Sequence, residues 1–367
     1  MSKQTNKNSK LGLVLKVFAL VIASLLLSFT AYGVYLSKQV ETAAQGAFEA
    51  IDDREQSELR EEEIEPLEDS ISILFIGVDD SLQRGQGESN SRSDALILAT
   101  LNNEDKSIKM LSIPRDSYAY IPHVDFKDKI THAHAFGGTK ATIETVEELF
   151  NIPVDYYVKM NFNAFIDVVD ALGGVVADVP YDILEKDEFD NRSIQLTEGR
   201  HLLSGSEALA LVRTRKADSD VERGKRQQQV LKAIIQKGTS VSSITKYTDV
   251  IDAVGDNMRT DMTFDEIKSL ISYLSDGTSN IETLNVDGDD DMSTGIYYYK
   301  LDQQSLDENR EELQRHLGIP VNLSNYGEEP ENEPAYDSYN RYNNDTRDEY
   351  DTAEQEDEAS TEFNFDF

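Results

Sequence analysis

The sequence predicts an α/β domain, with helices on both faces of a central sheet, preceded by one transmembrane helix. Three observations point there. Between residues 70 and 322, short apolar runs alternate with helical stretches. Near the start, "VFALVIASLLLSFTAYGVYLS" (17–37) is uncharged for 21 residues, close to the roughly 20 a helix needs to cross a bilayer. The segments flanking the α/β pattern are polar and densely acidic, compositions that do not build a packed core.

The strand signals are "ISILFIGV" (71–78), "ALILATL" (95–101), "SIKMLSIP" (107–114), "VDYYVKM" (154–160) and "GVVADVP" (174–180). Each is a short, β-branched or apolar run bounded by polar or turn residues. The helix signals are "TKATIETVEELF" (139–150), "FNAFIDVVDAL" (162–172), "SGSEALALVR" (204–213) and "VERGKRQQQVLKAIIQKG" (221–238). Pro153 stops the first, Gly173–Gly174 end the second and Gly238 closes the last. The chain holds no internal repeat.

Residues 1–40 carry five lysines and no acid, residues 41–69 twelve acids against Arg54 and Arg60, and residues 323–367 fifteen acids against Arg341 and Arg347. Lysines before the apolar run and acids after it place the N-terminus in the cytoplasm and the rest outside. The run is long for a signal-peptide core and "FTAYG" is a poor cleavage site, so a retained anchor is favoured over a cleaved signal. The expected organisation is therefore a cytoplasmic segment (1–16), a signal anchor in the cell membrane (17–37), an acidic stalk (38–69), an extracellular domain (70–322) and an acidic tail (323–367). The stalk reads as helical or as a disordered spacer. Cysteine is absent, which excludes disulfides and a lipoprotein anchor. The net charge of −35 leaves no broad basic field, so nucleic acid is excluded as a partner.

Against this acidity, "LVRTRKADSDVERGKRQQQ" (211–229) concentrates six basic side chains. In an extended segment Arg213 and Arg215 project to the same side. Ser219 and Glu222 fit a capping box that starts a helix near Asp220. On that helix Arg223 and Gln227 share a face at the N-terminal end. Guanidinium forks beside a helix N-terminus suit phosphate; pairing with the surplus acids is the plainer alternative. Asp79 and Asp94 lie at strand ends, and "PRD" (114–116) ends a third strand. Ligands of open α/β sheets bind at strand ends, and two carboxylates with phosphate oxygens suit Mg²⁺, although an aspartate there also commonly caps a turn. His132 and His134 lack a third zinc ligand, "DGDDD" (287–291) lacks the spacing and closing Glu of a calcium loop, and "GQG" (85–87) lacks the Lys-Ser/Thr of a P-loop.

In order, "ILFIGVD", "RSDALILATL", "SIPRD", "KITHAHAFGG", "NFNAFIDVVDALGGV" and "LVRTRKADSDVERGKRQ" resemble the LytR-CpsA-Psr cell-wall ligases over about residues 70–320. The resemblance implies a mixed central sheet whose interior holds a polyprenyl chain and whose rim holds its pyrophosphate. It implies transfer of an anionic glycopolymer such as wall teichoic acid from that carrier to peptidoglycan, at the C6 hydroxyl of N-acetylmuramic acid. By the same resemblance Asp79 and Asp94 are the acids near Mg²⁺, and Arg115, Arg213, Arg215 and Arg223 clamp the pyrophosphate. Asp220 and Gln227 match the family's D-x-x-R-x-x-x-Q pattern. Arg115, Asp94 and Asp220 are the expected catalytic residues, with Asp94 or Asp220 as general base. The family often has Arg two residues after the first Asp; here Ser81 stands there, with Arg84 nearby, in an extended 80–91 loop. Val230, Leu231, Ile234 and Ile235 are expected to line the lipid tunnel or to pack in the core. A pyrophosphatase and a non-catalytic binder of lipid-linked precursors are the competing readings. A transcriptional regulator conflicts with the export topology and the acidity.

Overall fold

The computed structural model describes residues 45–62, 64–65, 68–79, 91–187, 193–215, 219–238, 257–275 and 280–321, with positions 38, 41 and 42 before them. Among the described residues no helix is long and apolar enough to cross a membrane. The expected anchor (17–37), the 80–90 loop with Ser81 and Arg84, and the acidic tail lie outside them.

The chain runs β1 (Ile71–Val78), β2 (Ser93–Asn102), β3 (Ser107–Ile113), β4 (Tyr118–Ile121), β5 (Phe126–Lys129), α1 (Ile130–Phe150), β6 (Tyr156–Asn161) and α2 (Phe162–Ala171). There follow β7 (Val175–Val179), β8 (Ile183–Glu185), β9 (Ile194–Leu196), β10 (Gly199–Leu203), α3 (Gly205–Arg213) and α4 (Asp220–Gly238). The last elements are β11 (Met258–Thr260), α5 (Phe264–Ser275), β12 (Asn280–Asn285), β13 (Gly288–Asp291), β14 (Tyr298–Leu301) and α6 (Gln303–Leu317).

Six strands form the central sheet in the order β11–β6–β1–β2–β3–β12. β6 runs parallel to β1 and β12 parallel to β3, while the other neighbours are antiparallel. The sheet is therefore mixed, and alternation along each strand serves two cores. Leu74, Ile76, Leu96 and Leu98 point to one face, under Ile143, Val146 and Phe150 of α1 and Leu313 of α6. Ile73, Ile97, Met110 and Val158 point to the other, toward Leu231 and Ile235 of α4 and Ile267 and Leu270 of α5. Covering both faces explains why the strands read as apolar runs. The β7–β10 pair, α2 and α3 build a third cluster, joined by Val230 and Ile234 of α4. The four apolar residues expected together on α4 thus divide between two cores.

Three local expectations change. The helix expected from Thr139 begins at Ile130 and bends at Gly137 and Gly138, whose ψ and φ values break the helical pattern; only the stretch after the bend carries a clean amphipathic period. "GVVADVP" forms β7, but in a two-stranded sheet beside the central one. Finally, part of the acidic segment read as a stalk packs on the domain. Arg54 pairs with Glu147 at 2.9 Å and Arg60 with Asp155 at 2.6 Å. Glu49 N donates to Thr260 O at 2.8 Å, and Tyr157 Oη donates to Glu49 O at 2.7 Å. The two arginines of this stretch are half-buried anchors, so its net acidity hid a docking function.

Candidate active site

The pairings Val78 with Ser93, Leu96 with Ile113 and Val78 with Asn161 bring the carboxyl ends of β1, β3 and β6 and the amino end of β2 to one edge. Asp79 follows β1, Asp94 is the second residue of β2, and Arg115 and Asp116 follow β3. Helix α4 crosses this end of the sheet. Gln228 Nε2 donates to Met110 O and Leu284 O at 2.8 and 2.7 Å, and Lys232 Nζ to Ile281 O at 2.6 Å. Moving back along α4 toward Asp220 therefore leads to the edge that carries Arg115. Ser219 Oγ accepts from Glu222 N at 3.3 Å, the expected half of the capping box. The positive end of the helix dipole adds to the arginines there.

A continuous charge network results. Arg115 Nη1 donates to Asp94 Oδ1, and Arg115 Nε lies 3.6 Å from Asp116 Oδ2. Lys129 Nζ, at the end of β5, reaches Asp116 Oδ1 at 2.9 Å. Arg223 Nη1 lies 3.0 Å from Asp220 Oδ1, and its Nη2 donates to Asp94 O at 3.5 Å. Arg215 Nε is 3.9 Å from Asp220 Oδ1. Asp94, Arg115, Arg215, Asp220 and Arg223, five of the expected site residues, are thus linked.

The other three stand differently. Arg213 places its guanidinium 4.6 Å from the Phe162 ring centroid, while Arg215 turns to Asp220, so the two do not act as one fork as extended spacing suggested. The helix α3 ends at Arg213 itself, which rotates the two side chains apart. Gln227 lies one turn beyond Arg223 on α4 and is half-buried. Asp79 is buried at the end of β1, on the strand next to that of Asp94. His132 Nδ1 pairs with Asp128 Oδ2 at 2.7 Å and His134 Nδ1 with Ser91 O at 2.9 Å; the two rings serve different partners.

Burial and charge set the protonation of this network. Burial opposes the Arg115 charge, but Asp94, Asp116 and Asp220 outweigh it and hold its pKa above the ordinary guanidinium value. Burial brings Arg223 down to about 10, against the attraction of Asp220 and Asp94 and together with repulsion from Arg215 and Arg115; it stays charged at neutral pH. Asp116 stays below the usual carboxylate value because Lys129, Arg115 and Arg215 overcome its burial. Asp220 rises above it: burial and the neighbouring Asp116 prevail over Arg223, Arg215 and Arg115. Among the described residues, Asp220 Oδ2, Arg223 Nε and Arg115 Nε are buried without a hydrogen-bond partner. Leaving such atoms unpaired costs about 1–3 kcal/mol or more each, so the network is incomplete by itself and suited to an anion with hydroxyl groups.

Sequence reasoning missed Asp116 and Lys129, which complete the network, although Asp116 stood in the quoted "PRD". It gave no separate role to Arg226, one of the six basic residues of 211–229. Arg226 is buried and donates from Nε to Leu211 O at 3.0 Å and from Nη2 to Thr214 O at 2.6 Å, fixing the loop that carries Arg215. A helical wheel of 220–238, with Arg226 on the side of Val230 and Ala233, was the available signal.

With this geometry in hand, comparison with known proteins is decisive. The sequence pattern of the LytR_cpsA_psr family matches residues 34–315. The chain belongs to that family. A family member named polyisoprenyl-teichoic acid–peptidoglycan teichoic acid transferase TagT, from Bacillus subtilis strain 168, is 42% identical over 320 residues, 87% of this chain and 99% of the relative. The solved structure of TagT bound to LIIa-WTA superposes with a TM-score of 0.65 at 42% identity, covering 74% of this chain and 100% of that one. TagT with bound octaprenyl pyrophosphate lipid superposes with a TM-score of 0.61 at 39% identity, again over 74% and 100%. The mixed sheet with helices on both faces is therefore the family's fold.

Proposed function

We propose that this chain transfers an anionic glycopolymer, wall teichoic acid or a related polymer, from a polyprenyl-pyrophosphate carrier to peptidoglycan. The observation that carries the reading is the sheet edge where Arg115, Arg215 and Arg223 meet Asp94, Asp116 and Asp220 around buried unpaired donors. The TagT relatives' names and bound molecules agree with it. Arg115, Arg215 and Arg223 hold the pyrophosphate, with Arg213 and Gln227 at the margins of the same end of the fold. The prenyl chain runs along the face between the sheet and α4–α5, where Phe75, Met160, Leu231, Ile235 and Ile267 are only partly buried.

In the reaction, a sugar hydroxyl oxygen attacks the phosphorus nearest the glycan. A new P–O bond forms, the bridging P–O bond breaks, and polyprenyl monophosphate leaves. Negative charge grows on the bridging oxygen, where fixed guanidinium groups in a partly buried site stabilise it most. The hydroxyl proton goes to Asp220: among the described residues its Oδ2 has no hydrogen-bond partner, and its pKa is raised, whereas Asp94 is engaged by Arg115. The acceptor is the C6 hydroxyl of N-acetylmuramic acid in this reading.

Mg²⁺ fits the end of β1 and β2. Among the described residues no group of three candidate ligands occurs, but Mg²⁺ commonly takes only one or two carboxylates and completes its shell with phosphate oxygens and water. Asp79 and Asp94 would hold it, and it would supply further charge neutralisation to the pyrophosphate. Residues 17–37 anchor the chain in the cell membrane, with residues 38–367 outside.

The test is reconstitution of the full chain with a polyprenyl-pyrophosphate-linked teichoic precursor, Mg²⁺ and glycan strands. The expected product is polymer joined to the glycan through a phosphodiester, with polyprenyl monophosphate released. Release of that lipid without polymer on the glycan means hydrolysis, and binding without release means a carrier-binding protein; either replaces this reading.

A further inference from the structure

One feature beside the arginines has no part in that chemistry. The β13–β14 hairpin pairs Asp289 with Lys300 and Asp290 with Tyr299, so "DGDDD" is a strand rather than a cation loop. The hairpin is fastened to the catalytic segment: Tyr299 N donates to Asp116 O at 2.8 Å, and Tyr299 bridges Ser117. Its inner tyrosine, Tyr298, packs edge-on against Tyr118 at 4.8 Å between centroids and is buried. The neighbouring Tyr297 is only half-buried, with Tyr297 Oη donating to Asp290 Oδ1 at 2.7 Å. Lys129 Nζ lies 5.7 Å from the Tyr297 ring centroid while it pairs with Asp116. A single side chain therefore separates this ring from the residue next to Arg115. The turn between the strands adds Ile296, half-exposed, and Met292, 59% exposed.

We propose that Tyr297 and Asp290, with the 292–296 turn, form the subsite that seats a neutral sugar ring of the acceptor glycan. This inference rests on the transferase reading above. A pyranose presents an apolar C–H face and a rim of hydroxyl donors. A tyrosine ring buries the first, and a carboxylate accepts from the second. Charge decides between the two glycans of the reaction. Residues 287–291 hold four aspartates, and the cation on the facing strand, Lys300, reaches Asp291 at 2.9 Å. A phosphate-rich donor polymer is repelled here, whereas an uncharged saccharide is not. The position agrees: the hairpin is joined to the segment that follows Arg115 through Tyr299, Asp116 and Lys129.

The experiment uses the full chain and a soluble fragment of β-1,4-linked N-acetylglucosamine, the neutral sugar of the acceptor glycan. Wild type should bind the fragment, and Tyr297→Ala should weaken binding about five- to tenfold, the size of one lost stacking contact. Tyr297→Phe, which keeps the ring, should stay within about twofold and so controls for folding together with an unchanged melting temperature. In the transfer assay Tyr297→Ala should raise KM for the glycan and leave KM for the lipid-linked donor unchanged. Absence of fragment binding by wild type, undiminished binding by Tyr297→Ala, or an effect on donor KM overturns the proposal. If wild type binds the fragment through Tyr297 but transfers nothing, the subsite stands and the transferase reading falls.

Discussion

Gly224 on α4 lies against Ser112 on β3 so closely that a Cβ on the glycine would collide with the Ser112 side chain. The contact sets how deeply the N-terminal turn of α4 sits on the sheet, and with it the positions of Asp220 and Arg223.

Gly224→Ala should therefore push this turn outward. Overpacking of this kind commonly costs about 1–3 kcal/mol, and displacement of Arg223 should reduce transfer more than lipid binding. Urea denaturation and a transfer assay on one preparation check it. Wild-type values in both would show that Ser112 moves aside freely and that the contact positions nothing.

Two neighbouring basic residues should behave in opposite ways. Arg226→Ala removes a buried side chain and leaves Leu211 O and Thr214 O without their donors, so stability should fall by about 3 kcal/mol or more. Lys225, half-exposed and paired with Glu222 at 2.6 Å, should tolerate Lys225→Ala within about 0.5 kcal/mol. Denaturant midpoints measure both; equal losses would contradict the burial assigned to Arg226.

Much of this was legible in the sequence, for reasons that differ by element. β1, β2 and β3 are covered on both faces, so their apolar runs stand out, and the D-x-x-R-x-x-x-Q run marked the start of α4 and two of its site residues, Asp220 and Arg223. The two- and three-residue contacts that finish the site were not legible. Lys129 reaches Asp116 only because β5 pairs with β4 and returns to the sheet edge. The strands β8, β9, β11 and β13 are three or four residues long, too short for a period, and are held by their neighbours. Arg54 and Arg60 lay within an acidic stretch whose composition pointed to solvent.

Stability should also depend on pH through Asp261. Burial raises its carboxyl from 3.8 to about 7, against the opposing hydrogen bond from Tyr157 N; Arg54 lowers it and Glu266 raises it by smaller amounts. Between about pH 4 and 7 the folded protein then holds a proton that the unfolded chain has lost. The stability this group contributes is full at the low end of that window and is lost as pH rises through 7. Asp261→Asn keeps an acceptor for Tyr157 N without the charge, so its advantage over wild type should grow from pH 4.5 to pH 8. Urea midpoints at the two pH values test it; a constant difference would mean that Asp261 is ionised at both.

Arg115 bears on the central claim most directly, because it joins Asp94 to Asp116 at the centre of the network. Removing one such donor from a partly buried site that stabilises developing charge costs roughly 10²–10³ in rate. The deciding measurement is the rate of polyprenyl monophosphate release and of polymer attachment to glycan strands by wild type and Arg115→Ala, with bound polyprenyl lipid quantified in both by mass spectrometry. The account predicts both rates down by that factor together and lipid content unchanged, since the prenyl chain is held by apolar burial. Wild-type rates in Arg115→Ala would contradict it and leave this arginine a structural partner of Asp94 and Asp116.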